Sequence, residues 1–286
     1  MKPSNKIQKM KVTVIITLMA LSLIIVLPAR AITWGEADES QHPNVGAMVV
    51  RWSDGTLGQV CSGTLIQPYI FLTAGHCTDY LEYVIGSDQI AAIYVNFDED
   101  ALNESTLLDV ETFITHPDYN WGPQSNPHDV GVLILTNPTG ITPATLPEEG
   151  FLDKLRAEGK LRKGKEEADF TVVGYGSTLS WPPPEITYEN KRRYAFSEYQ
   201  ALLKSWLRMS QNQRTGNGGT GYGDSGGPAF WIDPVTGAEI LVGITSWGDA
   251  PCVAAGFNYR VDTADTLVFL SPILALADEW LKPPEP

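Results

Sequence analysis

Short apolar runs separated by turn-forming residues set the strongest limit on what this chain can fold into. They are rich in β-branched and aromatic side chains and are bounded by Gly, Pro, Asn and Asp, as is typical of strands. The runs are Val45–Trp52, Ile70–Ala74, Ile90–Phe97, Val130–Leu135, Phe170–Val173, Ala229–Ile232 and Ile240–Ser246. Helical spacing occurs in Tyr199–Met209 and in Asp265–Trp280, where Pro272 is expected to interrupt the helix. Many short strands and few helices predict an all-β fold, built as an antiparallel barrel or sandwich.

The N-terminal segment differs from the rest of the chain in composition. Lysines at positions 2, 6, 9 and 11, without any acidic residue, precede an apolar stretch from Val12 to Leu27. Ala29-Arg30-Ala31 then has the small-residue spacing that signal peptidase cleaves. We expect residues 1–31 to be a signal peptide and the mature protein to be secreted, either extracellular or periplasmic. An uncleaved membrane anchor is the alternative, because the apolar stretch is long for a signal peptide but short for a membrane span.

The charge of the chain excludes some partners. Removal of residues 1–31 takes away five of the 20 basic residues and none of the 34 acidic ones, which leaves a net charge of about −19. So acidic a surface repels nucleic acid and anionic membranes. We therefore expect no nucleic acid, no stable membrane association after signal cleavage, and a monomer. Charge by itself names no partner.

The cysteines are few. Cys61, Cys77 and Cys252 are the only ones in the sequence, so an oxidising compartment would permit one disulfide and leave one odd thiol. No group of Cys and His has the spacing of a zinc site, so the sequence predicts no bound metal.

The organisation of the chain suggests two halves. A polar, charged stretch from Pro147 to Asp169 lies near the middle and is a plausible crossover between regions of about 32–148 and 149–282. The tail Lys282–Pro286 has the composition of a disordered end.

Short segments that carry chemistry occur at three places. Thr73-Ala74-Gly75-His76-Cys77 comes first, His128-Asp129 before the apolar run Val130–Leu135 comes second, and Gly223-Asp224-Ser225-Gly226-Gly227-Pro228 comes third. In local sequence and in their order, the chain resembles the trypsin/chymotrypsin family of serine peptidases from about Ile32 to the C-terminal helix. That resemblance implies two antiparallel six-stranded β-barrels with the active site between them, and peptide-bond hydrolysis through an acyl-enzyme without a cofactor.

The residue types fit that chemistry. Ser225 would be the nucleophile, His76 the general base that takes its proton, and Asp129 the carboxylate that orients the imidazole. By resemblance, the amides of Gly223 and Ser225 would bind the oxyanion. Asp129 is favoured because it directly precedes a continuous apolar run, whereas the competing carboxylates do not: Asp98, Asp109 and Asp118. The remaining histidines are interpreted as surface or turn residues: His42, His116 and His128.

A rival motif overlaps the serine segment. Gly223-x-Ser225-x-Gly227 also fits the nucleophile elbow of α/β-hydrolases, which would make the protein an esterase or lipase. In those enzymes the catalytic histidine follows the serine. Every histidine of this chain precedes Ser225, so the sequence argues against the elbow. Ser225 as an ordinary turn residue and His76 as a core residue stay as less specific alternatives.

The resemblance also implies how the site is completed. Asp224 would pair with the α-amino group of Ile32, where Ile32-Thr33-Trp34-Gly35 departs from the family's usual Ile-Val-Gly-Gly. Because Ile32 follows the predicted signal cleavage site, export itself could liberate this amine; trimming of a slightly longer secreted form is the alternative. Cys61 and Cys77 would form a disulfide that closes the histidine loop. Cys252 is expected to be a free thiol, because its usual partner position holds Gly221.

Substrate recognition is expected at two segments. Ser246-Trp247-Gly248 resembles the strand that pairs with the substrate backbone, although Trp247 also suits a core. By resemblance, Gly219 is the base of the primary pocket, and Gly248 with Gly256 leaves its walls open. An uncharged, roomy slot predicts cleavage after large apolar or aromatic residues. A catalytically silent homologue that acts as a binding or regulatory module is the alternative function. The acidic run Asp98-Glu99-Asp100 is interpreted as solvated charge in preference to a calcium site.

Overall fold

A computed structural model of the protein describes residues 32–121, 125–164, 169–180 and 185–280. The predicted signal peptide and the tail from Lys282 lie outside these ranges. The strands are β1 (Glu36–Ala37), β2 (Val45–Trp52), β3 (Leu57–Gln67), β4 (Ile70–Thr73), β5 (Ile90–Asn96), β6 (Leu108–Thr115), β7 (Gly131–Leu135), β8 (Asp169–Gly174), β9 (Ser177–Ser180), β10 (Glu185–Tyr188), β11 (Arg193–Leu202), β12 (Trp206–Ser210), β13 (Pro228–Ile232), β14 (Glu239–Gly248) and β15 (Ala255–Arg260). The α-helices are α1 (Gly75–Gly86), α2 (Phe151–Ala157) and α3 (Ala264–Trp280).

The first barrel is a closed ring of antiparallel strands in the order β2-β3-β4-β7-β6-β5. Its strands carry long apolar runs because much of each strand is buried, as in β4 and β7, where every residue is buried. Met48, Leu65 and Phe71 are completely buried in its core. Closure pairs every strand on both edges, which leaves no open sheet edge in this ring.

The second barrel has the order β11-β12-β15-β14-β13-β8, and pairing of β8 with β11 closes it. The short strand β1 adds to its edge through β11. Phe170, Leu207 and Trp231 belong to the core of this half. The predicted all-β architecture of two antiparallel six-stranded barrels with a C-terminal helix is therefore confirmed.

The helix predicted over Tyr199–Met209 is wrong. This segment contains the end of β11, a tight turn in which the amide of Leu203 donates to the carbonyl of Trp206 at 2.8 Å, and most of β12. Side chains in β11 alternate in burial, with Ala195 and Ser197 buried and Phe196 exposed between them. The apparent helical spacing arises because the segment combines parts of two strands and the turn between them.

The C-terminal helix is confirmed, but it continues through Pro272 instead of stopping there. Proline removes the hydrogen bond to the carbonyl four residues earlier, here that of Val268. Val268 is 72% exposed and Pro272 is exposed as well, so water can satisfy the freed carbonyl. In the described part of the chain, no helix combines the length and apolar character that a membrane crossing needs.

The acidic run in the loop after β5 is more than solvated charge. Glu99 accepts a hydrogen bond from the buried guanidinium of Arg192 at 2.7 Å, and Asp100 pairs with Lys191 at 2.8 Å. These ion pairs join the first barrel to the segment that leads into β11. They therefore help to fix the two barrels around the cleft between them.

Candidate active site

His76 and Asp129 meet at the start of helix α1. The Asp129 carboxylate lies 3.1 Å from His76 Nδ1 and accepts the backbone amide of His76 at 2.8 Å. The N-cap residue of helix α1 is Ala74, whose side chain cannot accept a hydrogen bond from the first turn. Asp129 takes that role from the neighbouring segment, where the helix dipole also favours a negative charge. One carboxylate thus both caps the helix and orients the imidazole.

Local backbone features aim Asp129 at the imidazole. His128 adopts a left-handed conformation with φ 55°, and the amide of Val130 donates back to its carbonyl at 2.8 Å. This tight turn directly precedes β7. On the opposite side, the register of β14 shifts between Thr245 and Trp247, and the Ser246 hydroxyl donates to Asp129 Oδ2. Bulges of this kind are a common means of re-aiming a side chain.

Burial and pairing set the charges of the pair. Burial by itself would raise the pKa of Asp129, but the nearby His76 and hydrogen bonds from His76 and Ser246 hold it below its usual range. Burial lowers the pKa of His76, whereas the charge and hydrogen bond of Asp129 raise it, and the net direction is upward. Asp129 is therefore ionised at neutral pH and stabilises the protonated imidazole.

The serine loop needs its glycines because other parts of the backbone approach it closely. A Cβ atom on Gly226, which has φ 84°, would lie 2.3 Å from the Ser62 carbonyl oxygen. A Cβ on Gly227 would lie 2.5 Å from the Val173 carbonyl oxygen. The carbonyl of Ser225 accepts the amide of Ser62 at 2.8 Å, which ties the nucleophile loop to β3.

Some backbone amides of the serine loop donate hydrogen bonds to carbonyls, and others do not. Those of Asp224, Gly226 and Gly227 donate to backbone carbonyls. Within the part of the chain that the structure describes, the amides of Gly223 and Ser225 take no backbone carbonyl. The carbonyl of Gly223 is held by Gln59 Nε2 at 2.8 Å. Two unused amides on a fixed turn are what binding of an oxyanion requires.

Ser225 and His76 line the same cleft. They border a cavity of about 560 Å³ and a second one of about 260 Å³, on the two sides of the serine. Among the described residues, Asp129 is the hydrogen-bond partner of the imidazole side chain, and Ser225 shares both cavities with the imidazole without a hydrogen bond to it. A serine–histidine hydrogen bond often tightens only when a substrate binds.

Two aromatic residues of the cleft could not be identified from the sequence. Trp121 packs edge-on against the His76 ring at 5.6 Å between centroids and is 64% exposed. Tyr119 lines the larger cavity beside it. Both lie in the loop between β6 and β7, where no local motif distinguishes a cleft residue from a surface aromatic.

Asp224 is completely buried directly beside the nucleophile. Its carboxylate accepts the amides of Gly176 at 2.8 Å and of Gly221 at 2.7 Å. Burial raises the pKa of Asp224 to about 7, although these two hydrogen bonds lower it in part. A cation brought to this carboxylate would be strongly favoured.

The predicted new terminus lies beside the pocket loops. Ile32 is completely buried, with a φ of 51° that is unfavourable for a β-branched residue. Thr33 forms an antiparallel bridge with Gly219, whose amide donates to the Thr33 carbonyl at 3.0 Å. The segment that follows Ile32 is therefore already bonded to the loop that precedes Asp224.

The predicted recognition residues fall on the smaller cavity in part. Ser246, Trp247 and Gly248 line it at the end of β14, and Trp247 stacks on Phe257 with ring centroids 3.7 Å apart. Trp247 is 44% exposed, so it offers a cleft surface while packing on a neighbour. Gly219 does not line this cavity.

The structure also settles the cysteines. Cys61 and Cys77 form the predicted disulfide, with Cα atoms 6.3 Å apart, and it fastens the start of α1 to β3. Cys252 is free and buried beside the smaller cavity. Burial raises the pKa of this thiol to about 11, so it is not a reactive thiolate.

The other histidines lie in turns, as expected, but a surface location is wrong for His42 and His116, which are buried. His42 is buried between Asp38 and Glu239, where burial lowers its pKa but the hydrogen bonds with these carboxylates raise it to about 9. His116 is buried too and stacks on the half-buried His128, which pairs with Asp265 at 2.8 Å. These side chains are polar parts of the packing, which sequence periodicity cannot reveal.

Possible metal ligands occur in two groups among the described residues. Cys61, His76 and Cys77 are close together, but the disulfide removes both thiolates. Ligand atoms of His116, Asp118 and His128 lie within 4.8 Å of one another. In that second group, His116 Nδ1 accepts the amide of Asp118 and His128 Nδ1 is taken by Asp265.

Comparisons with known proteins concern the family and the fold of the chain. The family model described as Trypsin matches residues 34–268. Lectizyme from Glossina austeni is 28% identical over 233 residues, which cover 79% of this chain and 79% of that protein. The CLIP domain-containing serine protease B15 from Anopheles gambiae is 25% identical, covering 84% of this chain and 70% of that protein.

A solved structure supports the fold in the same way. A collagenase structure titled "HL collagenase" superposes with a TM-score of 0.59 at 18% sequence identity. The match covers 86% of this chain and 99% of that one. At this identity the likeness concerns the architecture of the two barrels.

Proposed function

Since this chain belongs to the trypsin family, we propose that it is an active serine endopeptidase with Ser225, His76 and Asp129 as its catalytic triad. The observation that carries the proposal is the buried Asp129 carboxylate bonded to His76, in a cleft that Ser225 shares. A family member that had lost activity would have no need to keep all three groups in one cleft.

The first step follows from that arrangement. A substrate pairs through its backbone with Ser246–Gly248 and places its scissile carbonyl beside Ser225. His76 takes the hydroxyl proton as the serine oxygen attacks, and ionised Asp129 stabilises the imidazolium. The amides of Gly223 and Ser225 bind the oxyanion of the tetrahedral intermediate.

The intermediate then breaks down in two stages. His76 gives its proton to the leaving amine, and the acyl group stays on Ser225. Water enters from the cleft and attacks the ester while His76 takes its proton. His76 then gives this proton to the Ser225 oxygen as the second product leaves, which restores both groups. The chemistry uses groups of this chain alone.

Activation would depend on the new N-terminus. Cleavage before Ile32 creates an ammonium group next to the loop that carries Asp224, and pairing of the two would lower the raised pKa of that carboxylate. Cleavage also removes the preceding carbonyl, and with it the unfavourable φ of Ile32. We propose that removal of residues 1–31 on secretion provides this amine.

The substrates are polypeptides. The residue on the N-terminal side of the cleaved bond, called P1, would enter the cavity lined by Thr220, Ser246 and Gly248. No charged side chain occupies the position of Gly219, and the Asp249 carboxylate that lines this cavity already accepts three backbone amides, so we expect a large apolar or aromatic P1 residue over Lys or Arg. We expect the secreted enzyme to act as a monomer.

A phosphonylating probe for active-site serines tests this function. The form beginning at Ile32 should be labelled at Ser225, as located by peptide mass analysis, and His76→Ala should abolish labelling while the protein stays folded. Ser225→Ala is the matched control for labelling elsewhere. Absence of labelling in the folded wild type would favour the silent binding module instead.

A further inference from the structure

The side chain of Gln211 fills the base of the expected primary pocket. Gln211 directly follows β12 and is 2% exposed. A Cβ atom on Gly219 would lie 2.2 Å from Gln211 Cγ and 2.5 Å from its Nε2. The amide of Gln211 therefore lies where a side chain of residue 219 would otherwise be.

The other two glycines assigned to this pocket surround the same amide. A Cβ on Gly256 would lie 3.1 Å from Gln211 Nε2, and one on Gly248 would lie 3.6 Å from Gln211 Oε1. The smaller cavity is lined by Thr220 and Gly248, but not by Gly256. Gln211 therefore lies directly behind two residues that line the cavity, Thr220 and Gly248, and its side chain takes up space that three glycines would otherwise leave open.

The hydrogen bonds of Gln211 are unequal. Its Nε2 donates to the Thr220 carbonyl at 2.8 Å and to the Thr220 hydroxyl at 3.2 Å, which fixes the orientation of the amide. Its Oε1 is buried and has no hydrogen-bond partner among the described residues. A buried acceptor without a donor is unfavourable, so a donor that arrives with the substrate would gain from pairing with it.

We propose that Gln211 determines P1 specificity, and that it selects neutral P1 side chains that end in a hydrogen-bond donor. Tyr would be preferred to Phe, and Gln to Met, because each first member can donate to Gln211 Oε1. A neutral amide does not compensate for burying the cation of Lys or Arg. This inference rests on the proposed peptidase function and changes its expected P1 preference, since Gln now joins the large apolar and aromatic residues.

Peptides that differ only at P1 test the inference. For the form beginning at Ile32, kcat/KM should be about five- to tenfold higher for Tyr than for Phe, and for Gln than for Met, the value of one buried neutral hydrogen bond. Gln211→Met keeps a similar volume and removes the acceptor, so both ratios should fall to about one or below. Gln213→Met makes the same change at an exposed position nearby and should leave both ratios unchanged.

Two results would overturn the proposal. One is a wild-type enzyme that prefers Phe to Tyr and Met to Gln, which needs no variant to fold. The other is a folded Gln211→Met that keeps the wild-type ratios. Gln211→Glu should increase cleavage after Lys and Arg, because it places a carboxylate at the base. Failure of the peptidase function would differ, since no peptide would be cleaved and Ser225 would not be labelled.

Discussion

The two barrels contribute halves of the site that differ in completeness. In the first barrel, Asp129 already has hydrogen bonds from His76 and Ser246, and its pKa lies below the usual range. In the second barrel, Asp224 is equally buried, but its hydrogen-bond donors are backbone amides and its pKa is raised to about 7. The charge of Asp129 is therefore already stabilised in the first barrel, whereas Asp224 in the second barrel would be stabilised by pairing with a cation. We infer that proteolytic processing acts on the second half.

Of the two buried carboxylates, Asp129 in the first barrel should show the larger effect. Asp129→Asn should lower kcat by about 10⁴, because the amide supports the wrong imidazole tautomer. Asp118→Asn, an exposed carboxylate in the preceding loop, is the matched control and should have little effect. Steady-state kinetics on one peptide substrate measures both. Equal activities of the two variants would show that His76 does not depend on Asp129.

The next effect should come from the second barrel. A form that keeps Ala31 before Ile32 should have a kcat/KM about 10²–10³ lower than the form beginning at Ile32, the cost of a misplaced oxyanion donor. The extra residue displaces the amine from Asp224. Asp224→Asn in the Ile32 form should cause a similar loss. If both forms proved equally active, the site would not need a free amine at Ile32, and the proposed activation would be contradicted.

A smaller effect should appear in the pH profile. Because Asp129 raises the pKa of His76, the imidazole stays protonated to a higher pH than usual. A protonated base cannot accept the serine proton, so kcat/KM should rise with pH through a pKa above the ordinary histidine value of 6.5. An acid limb at or below that value would mean that Asp129 does not stabilise the imidazolium.

The sequence indicated the three proposed triad residues more directly than it indicated Gln211, for a physical reason. His76, Asp129 and Ser225 each lie in a short contiguous segment whose neighbours are fixed by local geometry, as Gly226 is by the Ser62 carbonyl. Gln211 lies in no such segment. Gln211 lies beside Gly219 because of the path of a glycine-rich loop, and that path depends on tertiary contacts. The sequence alone therefore could not predict that the two residues are neighbours.

Burial of polar groups was the other source of error. His42 and His116 are buried because particular carboxylates and rings surround them, and some of these partners, Glu239 and Phe269, are distant in sequence. The sequence also gave no sign of the helix that starts at Gly75, because Ala74 is a poor N-cap by itself. Its acceptor, Asp129, comes from the segment that precedes β7.

The most direct test of the account compares Ser225→Ala, His76→Ala and the double variant, each in the form beginning at Ile32. If the two barrels supply one catalytic unit, each single change should reduce kcat by about 10⁴ or more, and the double variant should lose almost nothing further. If the two losses instead multiplied in the double variant, Ser225 and His76 would act independently, and the proposed triad would be contradicted.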